Sequence, residues 1–313
     1  RHERLPEEFR VRLPQRQRGG VQEGLRVPGL LRRHRPEALR RHDLGHELHA
    51  PRREIHLPLH FRRGAPARVR EAQDEPVGAG DRLVGDTEYC DYPAEAKSVA
   101  RIGDTMHPSV ERIIALKPQI VLVSTASQLE AFTRQLDQQH IAVYVTNPRG
   151  LDEVFRSIST LGDLFGTKER ADKLVADLRR RSDAVTAAVS ATKPITVFYQ
   201  VSDEPLYTIG RESYLTDLVR RAGGVSVTAD VATGFPRFSD EAALAARPEA
   251  IILPTGGSMG TANSTTASPL KNSPAVLNGR VYKINEDYLQ RPGPRLVDGL
   301  EEMARALHPE AFK

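Results

Sequence analysis

Ser109-Val-Glu-Arg-Ile-Ile-Ala-Leu-Lys-Pro-Gln-Ile-Val-Leu-Val123 reappears without a gap, 130 positions later, as Ser239-Asp-Glu-Ala-Ala-Leu-Ala-Ala-Arg-Pro-Glu-Ala-Ile-Ile-Leu253. In each copy a serine caps a helix whose first turn carries a carboxylate and whose apolar residues form a stripe behind it. Lys-Pro or Arg-Pro then stops the helix, because proline cannot continue it, and a short β-branched run follows as a strand. A helix-to-strand unit written twice predicts two similar α/β lobes. It also places one acid, Glu111 or Glu241, at the same point of each lobe.

Bulk composition is misleading until it is divided. The chain of 313 residues has a net charge of +4 and a pI near 9.2. Residues 1–76 hold 18 arginines against 11 acidic residues, whereas 77–313 hold 27 basic and 30 acidic ones. The body is therefore mildly acidic, and a nucleic-acid partner loses its support. Before Thr87 there is no Ser, Thr, Asn, Tyr or Lys, and seven of the ten histidines fall there. Arginine without lysine is not the pattern of a phosphate-binding tail. Nor is it that of an ordinary disordered tail, which is rich in Ser, Lys and Gln. Residues 1–76 read as an aberrant, out-of-frame segment ending close to Gly78, with a genuine Arg-rich disordered extension as the alternative; neither predicts a packed core.

No stretch reaches the roughly 20 apolar residues of a membrane span, and no apolar region of a secretory signal is visible. The single cysteine, Cys90, excludes an internal disulfide and a Cys-cluster metal site, and no apolar run precedes it as a lipid-anchor cysteine requires.

From residue 77 onward the pattern alternates strand and helix with short connections, as in a parallel sheet covered by helices. Strands are expected at 83–85, 99–102, 141–145, 195–199 and 281–284. Helices are expected at 129–139, 151–165, 214–222 and 296–307. After Gly166, Thr167 is expected to cap a helix of about 25 residues with Ala171, Leu174, Val175, Leu178, Val185 and Val189 inward, ending at Lys193-Pro194. Unpunctuated and lying between the lobes, it reads as a rigid strut. The division is 77–150 for the first lobe, 151–193 for the helical linker and 194–313 for the second lobe. Residues 254–274, rich in Gly, Ser, Thr and Asn, read as a long loop, and 285–295 as another.

Enzyme signatures are scarce. No Gly-x-Gly-x-x-Gly follows a strand, and no Gly-Lys-Ser/Thr phosphate loop occurs. The body's histidines, His107, His140 and His308, have no metal-ligand spacing, so no metal site and no catalytic residue is assigned. Binding is better represented. Aromatic residues gather in polar loops where an α/β lobe exposes its strand ends: Tyr89 and Tyr92, Phe235 and Phe238, and Tyr288 with Arg291 and Arg295. With no Trp and 5% aromatic residues overall, that concentration suits a large, flat, partly anionic ligand held by stacking and charge-assisted hydrogen bonds. A first-turn glutamate stabilises any helix through its dipole, by about 0.3–1 kcal/mol. Matched placement in two lobes goes further, offering a docking pair for arginines of a symmetric partner.

Residues 78–313 resemble the substrate-binding proteins of the cobalamin and iron-siderophore ABC importer family, the class III, vitamin-B12-binding-protein-like group. The resemblance is carried by Gly78-Ala-Gly-Asp-Arg-Leu-Val-Gly85, Thr87-Glu-Tyr-Cys-Asp-Tyr-Pro93, the two repeat copies, Pro205-Leu-Tyr-Thr-Ile-Gly-Arg211, the run 218–224 and Arg291-Pro-Gly-Pro-Arg295. It implies two Rossmann-like lobes with parallel sheets joined by one long helix, and a ligand between the lobes. It implies docking on a dimeric permease with ATPase subunits through Glu111 and Glu241. Ligand contacts would fall at or near Tyr89, Tyr207, Phe235 and Tyr288, with Arg291 beside the last. The cargo implied is a cobalamin or similar corrinoid, or a ferric siderophore or haem, the last with a Tyr or His107 as axial ligand. The intact protein would be a monomeric, non-catalytic receptor with no cofactor of its own, periplasmic or a cell-surface lipoprotein. A chelatase-like enzyme on the same architecture is the alternative from another class. Two departures stand out. Trp, frequent at the family's ligand positions, is absent, and 62–77 stands where the family has an apolar strand and a helix.

Overall fold

The computed structural model describes residues 77–313, apart from 105–106, 125–128, 257–265 and 267. The Arg-rich segment 1–76, with the expectation that it is out of frame and has no core, lies outside the described residues.

The first lobe begins with β1 (Gly85–Asp86), paired in parallel with β2 (Ala100–Arg101). β1 shares only Gly85 with the strand expected at 83–85, since Leu83 and Val84 are exposed, and β2 is the middle pair of the expected 99–102. The first repeat copy then folds as read. Helix α1 (Val110–Leu116) starts where the Ser109 hydroxyl accepts the Arg112 N–H at 3.3 Å. It stops at Lys117, which turns left-handed (φ 51°). Proline disfavours helical geometry in the residue before it, so the chain leaves the helix there. Strand β3 (Ile120–Ser124) follows, then α2 (Leu129–Gln138) and β4 (Ala142–Thr146), which runs parallel to β3. The buried core of these elements is small: Ile113, Leu136, Ile141 and Val143.

Helix α3 (Leu151–Phe165) ends on Gly166, whose φ of +67° is the left-handed cap that glycine adopts without strain. Helix α4 (Lys168–Val189) is the expected long helix. Its expected cap is not made. Thr167 has φ −112° and ψ 27°, not the extended geometry of a capping residue, and its hydroxyl is buried without a hydrogen-bond partner. The Thr167 carbonyl instead accepts the Arg170 and Ala171 N–H groups.

The second lobe runs β5 (Ile195–Tyr199), an antiparallel pair β6 (Ser202–Asp203) and β7 (Leu206–Tyr207), α5 (Tyr214–Arg221) and β8 (Gly224–Ser226). It continues with α6 (Asp240–Ala246), β9 (Ala250–Thr255), α7 (Pro274–Leu277), β10 (Val281–Asn285), α8 (Glu286–Leu289) and α9 (Leu296–Leu307). Helix α6 and β9 are the second repeat copy. The Ser239 hydroxyl caps the Ala242 N–H at 3.2 Å, and Arg247 before proline is left-handed like Lys117. The sheet order is β10-β9-β5-β8, all parallel, so the chain leaves β5 in one direction and returns to its other side at β9. That reversal opens a crevice beyond the carboxyl ends of β5 and β9, where doubly wound sheets bind ligands. In the first lobe, β3 is the counterpart of β9. Among the described residues nothing pairs with the edge of β3 that corresponds to the β5 side, and β1–β2 stands apart from β3–β4. This architecture is the expected α/β fold with parallel sheets in both lobes and one long helix in the segment that connects them.

The connecting helices share one core with the second lobe. Leu151, Val154, Phe155 and Ile158 of α3 and Val175, Leu178, Val185 and Val189 of α4 are buried together with side chains of β5, α5, β9 and α9. Polar links tighten this. Arg181 on α4 reaches Asp298 at 2.6 Å and Glu301 at 2.9 Å on α9. Asp217 on α5 accepts the Leu151 N–H at 3.0 Å, capping α3 from another element, and pairs with Arg221 at 3.0 Å. Burial opposes ionisation of Asp217, but the Leu151 N–H with Arg220 and Arg221 outweighs it and holds the carboxyl below the usual range.

Two predictions follow from this partition of the core. Calorimetry of the 313-residue chain should give two transitions, the first lobe melting at the lower temperature, and one transition covering both lobes would contradict it. Asp217→Ala should cost about 2 kcal/mol in urea denaturation, because it leaves the Leu151 N–H without its acceptor and removes one of the two carboxylates that Arg221 pairs with, the other being Asp152. A lowered folded pKa means that this contribution is complete above the unfolded value of about 3.9 and is lost as pH falls below it. The stability difference from wild type should therefore shrink in acid.

Candidate functional site

Loop 87–93 of the first lobe is organised from beneath. Asp86, buried at the end of β1, pairs with Arg101 of β2 at 2.6 Å, and burial pushes the Asp86 carboxyl upward in spite of the guanidinium. The same Arg101 nitrogen, Nη1, donates to the Thr87 carbonyl at 2.8 Å and the Cys90 carbonyl at 2.9 Å. With the loop carbonyls drawn down, the rings of Tyr89 and Tyr92 stay exposed, at 42% and 45%.

Loop 290–295 of the second lobe meets them. Arg291 Nη1 donates to Asp91 Oδ1 at 2.8 Å, and Nη2 donates to the Tyr89 carbonyl at 2.9 Å. Nη2 also lies 3.2 Å from Asp287 Oδ1, four residues back on α8. The Arg295 guanidinium lies 4.0 Å from the centre of the Tyr92 ring, a cation–π contact. Tyr288, partly buried on α8, lies between Asp287 and Leu289 in the same stretch. A cavity of about 310 Å3 adjoins the loop, bounded by Pro292 and Pro294, by Leu122 and Tyr144 of the first lobe, and by Ile158 and Leu161 of α3.

A second group lies beyond β5. The segment 206–211 runs antiparallel to 231–238 through Thr208 N–H to the Pro236 carbonyl at 3.1 Å and Gly210 N–H to the Gly234 carbonyl at 2.9 Å. The buried hydroxyls of Thr208 and Thr228 fasten it below, donating to the carbonyls of Tyr199 at 2.8 Å and Ile209 at 2.6 Å. Gly210 has no alternative, since a Cβ there would sit 2.1 Å from the Thr233 carbonyl. This strap carries Tyr207, partly buried, and Phe235, 51% exposed. Phe238, grouped with Phe235 in the sequence, turns inward instead and packs on Phe198 with centroids 5.6 Å apart.

The structure thus joins Tyr89 to Arg291 directly, sets Tyr288 close by in sequence, and puts Tyr207 with Phe235 on a separately braced strap. Three partners escaped the sequence reading. Asp287 had a signal, its i,i+4 spacing from Arg291 on a short helix. Asp91 and the Tyr92–Arg295 stack had none, being separated by about 200 positions and joined only by the fold.

Glu111 and Glu241 occupy the second position of α1 and α6 and are both exposed. The Ser109 hydroxyl donates to Glu111 Oε2 at 3.2 Å. The Glu241 carboxyl is held below the usual range by its own backbone N–H and the Ser239 hydroxyl. Among the described residues no group of three or more His, Cys, Asp or Glu is placed to hold a metal ion, and no helix is long and apolar enough to cross a membrane.

A doubly wound lobe with aromatic and arginine side chains beyond its strand ends is an arrangement suited to holding a solute. Residues 73–288 match the family model described as periplasmic binding protein, and the chain belongs to that family. It is 31% identical over 244 residues to the uncharacterised ABC transporter substrate-binding lipoprotein YvrC of Bacillus subtilis (strain 168), covering 76% of each chain. The crystal structure of the periplasmic vitamin B12 binding protein BtuF of Vibrio cholerae superposes with a TM-score of 0.67 at 28% identity, over 76% of this chain and 92% of that one. The apo periplasmic haem-binding protein RhuT from Roseiflexus sp. RS-1 shares the fold, with a TM-score of 0.66 at 24% identity over 75% and 93%. The chain is a binding protein that works outside the cytoplasm, and not an enzyme.

Gly210→Ala should destabilise the second lobe by about 1–3 kcal/mol, since the clash is with a backbone carbonyl that cannot rotate away. Measured thermal stability equal to wild type would show that the strap is not held as described.

Proposed function

We propose that the protein is the solute-binding component of an ABC importer, capturing a cobalamin or similar corrinoid between its lobes and delivering it to a dimeric permease with ATPase subunits. The observation that carries this is the meeting of Tyr89 and Tyr92 from one lobe with Arg291 and Arg295 from the other. Such a pairing offers a large planar chelate rings to stack on and guanidinium groups at its rim. The likeness to a vitamin B12 binding protein supports the corrinoid, and a ferric siderophore or haem is the alternative cargo within the family. In this proposal Tyr89, Tyr207, Phe235, Tyr288 and Arg291 contact the ligand. The lobes are 77–150 and 194–313, and 151–193 is a stiff connection that keeps lobe movement small. Ligand release then depends on the permease prying the lobes slightly apart.

Glu111 and Glu241 are the docking residues of this reading. Each is fixed by a first helical turn and exposed, so it can meet an arginine of the permease without reordering its own backbone. The receptor acts as a monomer in the periplasm or as a cell-surface lipoprotein. The double variant Glu111→Ala, Glu241→Ala should abolish uptake of the cargo in cells while leaving its affinity in solution unchanged. Retained uptake would refute the docking role.

A further inference from the structure

The loop that carries Tyr89 is gripped from beneath by a side chain of its own lobe. Thr87-Glu-Tyr-Cys90 closes a turn through the Cys90 N–H, which donates to the Thr87 carbonyl at 3.0 Å, and the Glu88 N–H ties it to the Gly103 carbonyl at 3.0 Å. Arg101 Nη1 then bonds both ends of the turn, the Thr87 carbonyl at 2.8 Å and the Cys90 carbonyl at 2.9 Å. Asp86, with 6% of its side chain exposed, aims that guanidinium by accepting from the same nitrogen at 2.6 Å. A carboxylate holds a guanidinium more strongly than a carbonyl does, so Asp86 fixes where Nη1 sits. Tyr89 is the third residue of the turn, and its ring, like that of Tyr92 beyond it, stays exposed outside this fastening.

Two arginines bond this loop, and lobe movement acts on them differently. Arg291 donates to the Tyr89 carbonyl from the second lobe, so that contact breaks when the lobes part. Arg101 lies on β2, paired with the strand that leads into the loop, and its bonds stay within the first lobe. They persist in an open receptor. A turn without them would sample many shapes there and would have to be ordered as cargo binds. We propose that Arg101, aimed by Asp86, is a positioning residue for the cargo: it keeps the turn 87–90 preformed while the lobes are apart, so that Tyr89 and Tyr92 meet the chelate already in place. The proposal rests on the large-chelate reading given above. Arg101 acts through the loop rather than by contact with the cargo.

The single cysteine of the chain reports on the loop directly, because Cys90 ends the turn and its sulfur lies 3.3 Å from the Thr87 hydroxyl. Two quantities are measured on the whole chain. One is the affinity for cyanocobalamin, or for haemin where cyanocobalamin does not bind, by absorbance titration. The other is the rate at which Cys90 of the ligand-free protein reacts with a methanethiosulfonate reagent. Arg101→Met should weaken binding about tenfold, the cost of ordering the turn at the moment of binding, and should speed the Cys90 reaction. Arg101→Lys keeps the charge but is one bond shorter, and should recover part of both. Asp86→Ala should resemble Arg101→Met, and the double variant should bind no more weakly than Arg101→Met alone; additive losses would show that Asp86 does not act through Arg101. Val143→Ala is the control for a merely structural role. It thins the buried cluster of the first lobe at β4, which pairs with neither β1 nor β2, and should lower that lobe's melting temperature with both quantities unchanged. Wild-type affinity or wild-type Cys90 reactivity in Arg101→Met overturns the role of Arg101, as does a Val143→Ala variant that reproduces both changes. Either result leaves the receptor reading in place. Binding of neither compound by the wild-type chain overturns the large-chelate reading, and this proposal with it.

Discussion

The apolar stripe shared by α3 and α4 must be buried, and the second lobe is what buries it. Neither helix has a polar inner face. Leu151, Val154, Phe155 and Ile158 on one, with Val175, Leu178, Val185 and Val189 on the other, find their partners in β5, α5, β9 and α9. At about 1.5–3 kcal/mol for each fully buried side chain of this size, separating the helices from that surface would cost more than a domain's whole net stability. The polar contacts follow the same line. Asp217 caps α3 and pairs with Arg221, while Arg181 spans Asp298 and Glu301. Asp217 and Arg181 therefore each fasten a connecting helix to an element of the second lobe.

The first lobe is then attached through the backbone after β4, through Val77 packed on this core, through Arg82 Nη1 donating to the Phe165 carbonyl at 2.8 Å, and through the contacts at its rim. Among the described residues its one buried apolar cluster is Ile113, Leu136, Ile141 and Val143, and β3 pairs on one edge only. Asp91, the Tyr89 carbonyl and the Tyr92 ring, all meeting Arg291 and Arg295, supply a polar connection where apolar burial is thin. Such contacts between half-exposed groups are individually weak and can exchange for ligand contacts. In the function proposed here, that is the property a receptor needs where its cargo enters.

Local rules wrote much of this fold. Leu151–Phe165 with its glycine cap, Ile195–Tyr199 and Leu296–Leu307 were readable because period, cap and stop agree over each segment. The repeat copies were readable for the same reason, down to the serine that caps each helix and the proline that ends it. Elements without a pattern of their own were not. Strand β8 has three residues and begins on Gly224, so it exists because β5 offers it a partner. Helix α8 is four residues inside what looks like a loop, started by the Asn285 side chain accepting the Asp287 N–H. At Thr167 the residue type promised a cap that the tight α3–α4 turn does not allow.

The sequence by itself determined that the chain has two related α/β lobes, one long connecting helix and matched glutamates at the starts of α1 and α6. These depend on spacing within a few turns or strands, which the chain carries locally. Tertiary structure decided which lobe holds the connecting helices, because apolar stripes do not name their partners. It also decided what Arg291 meets. Arg291 reads as an open cation in the sequence, and only the approach of a loop 200 residues away places Asp91 against it. Coulomb interactions act through space, so the chemistry of this cleft is written in the fold rather than along the chain.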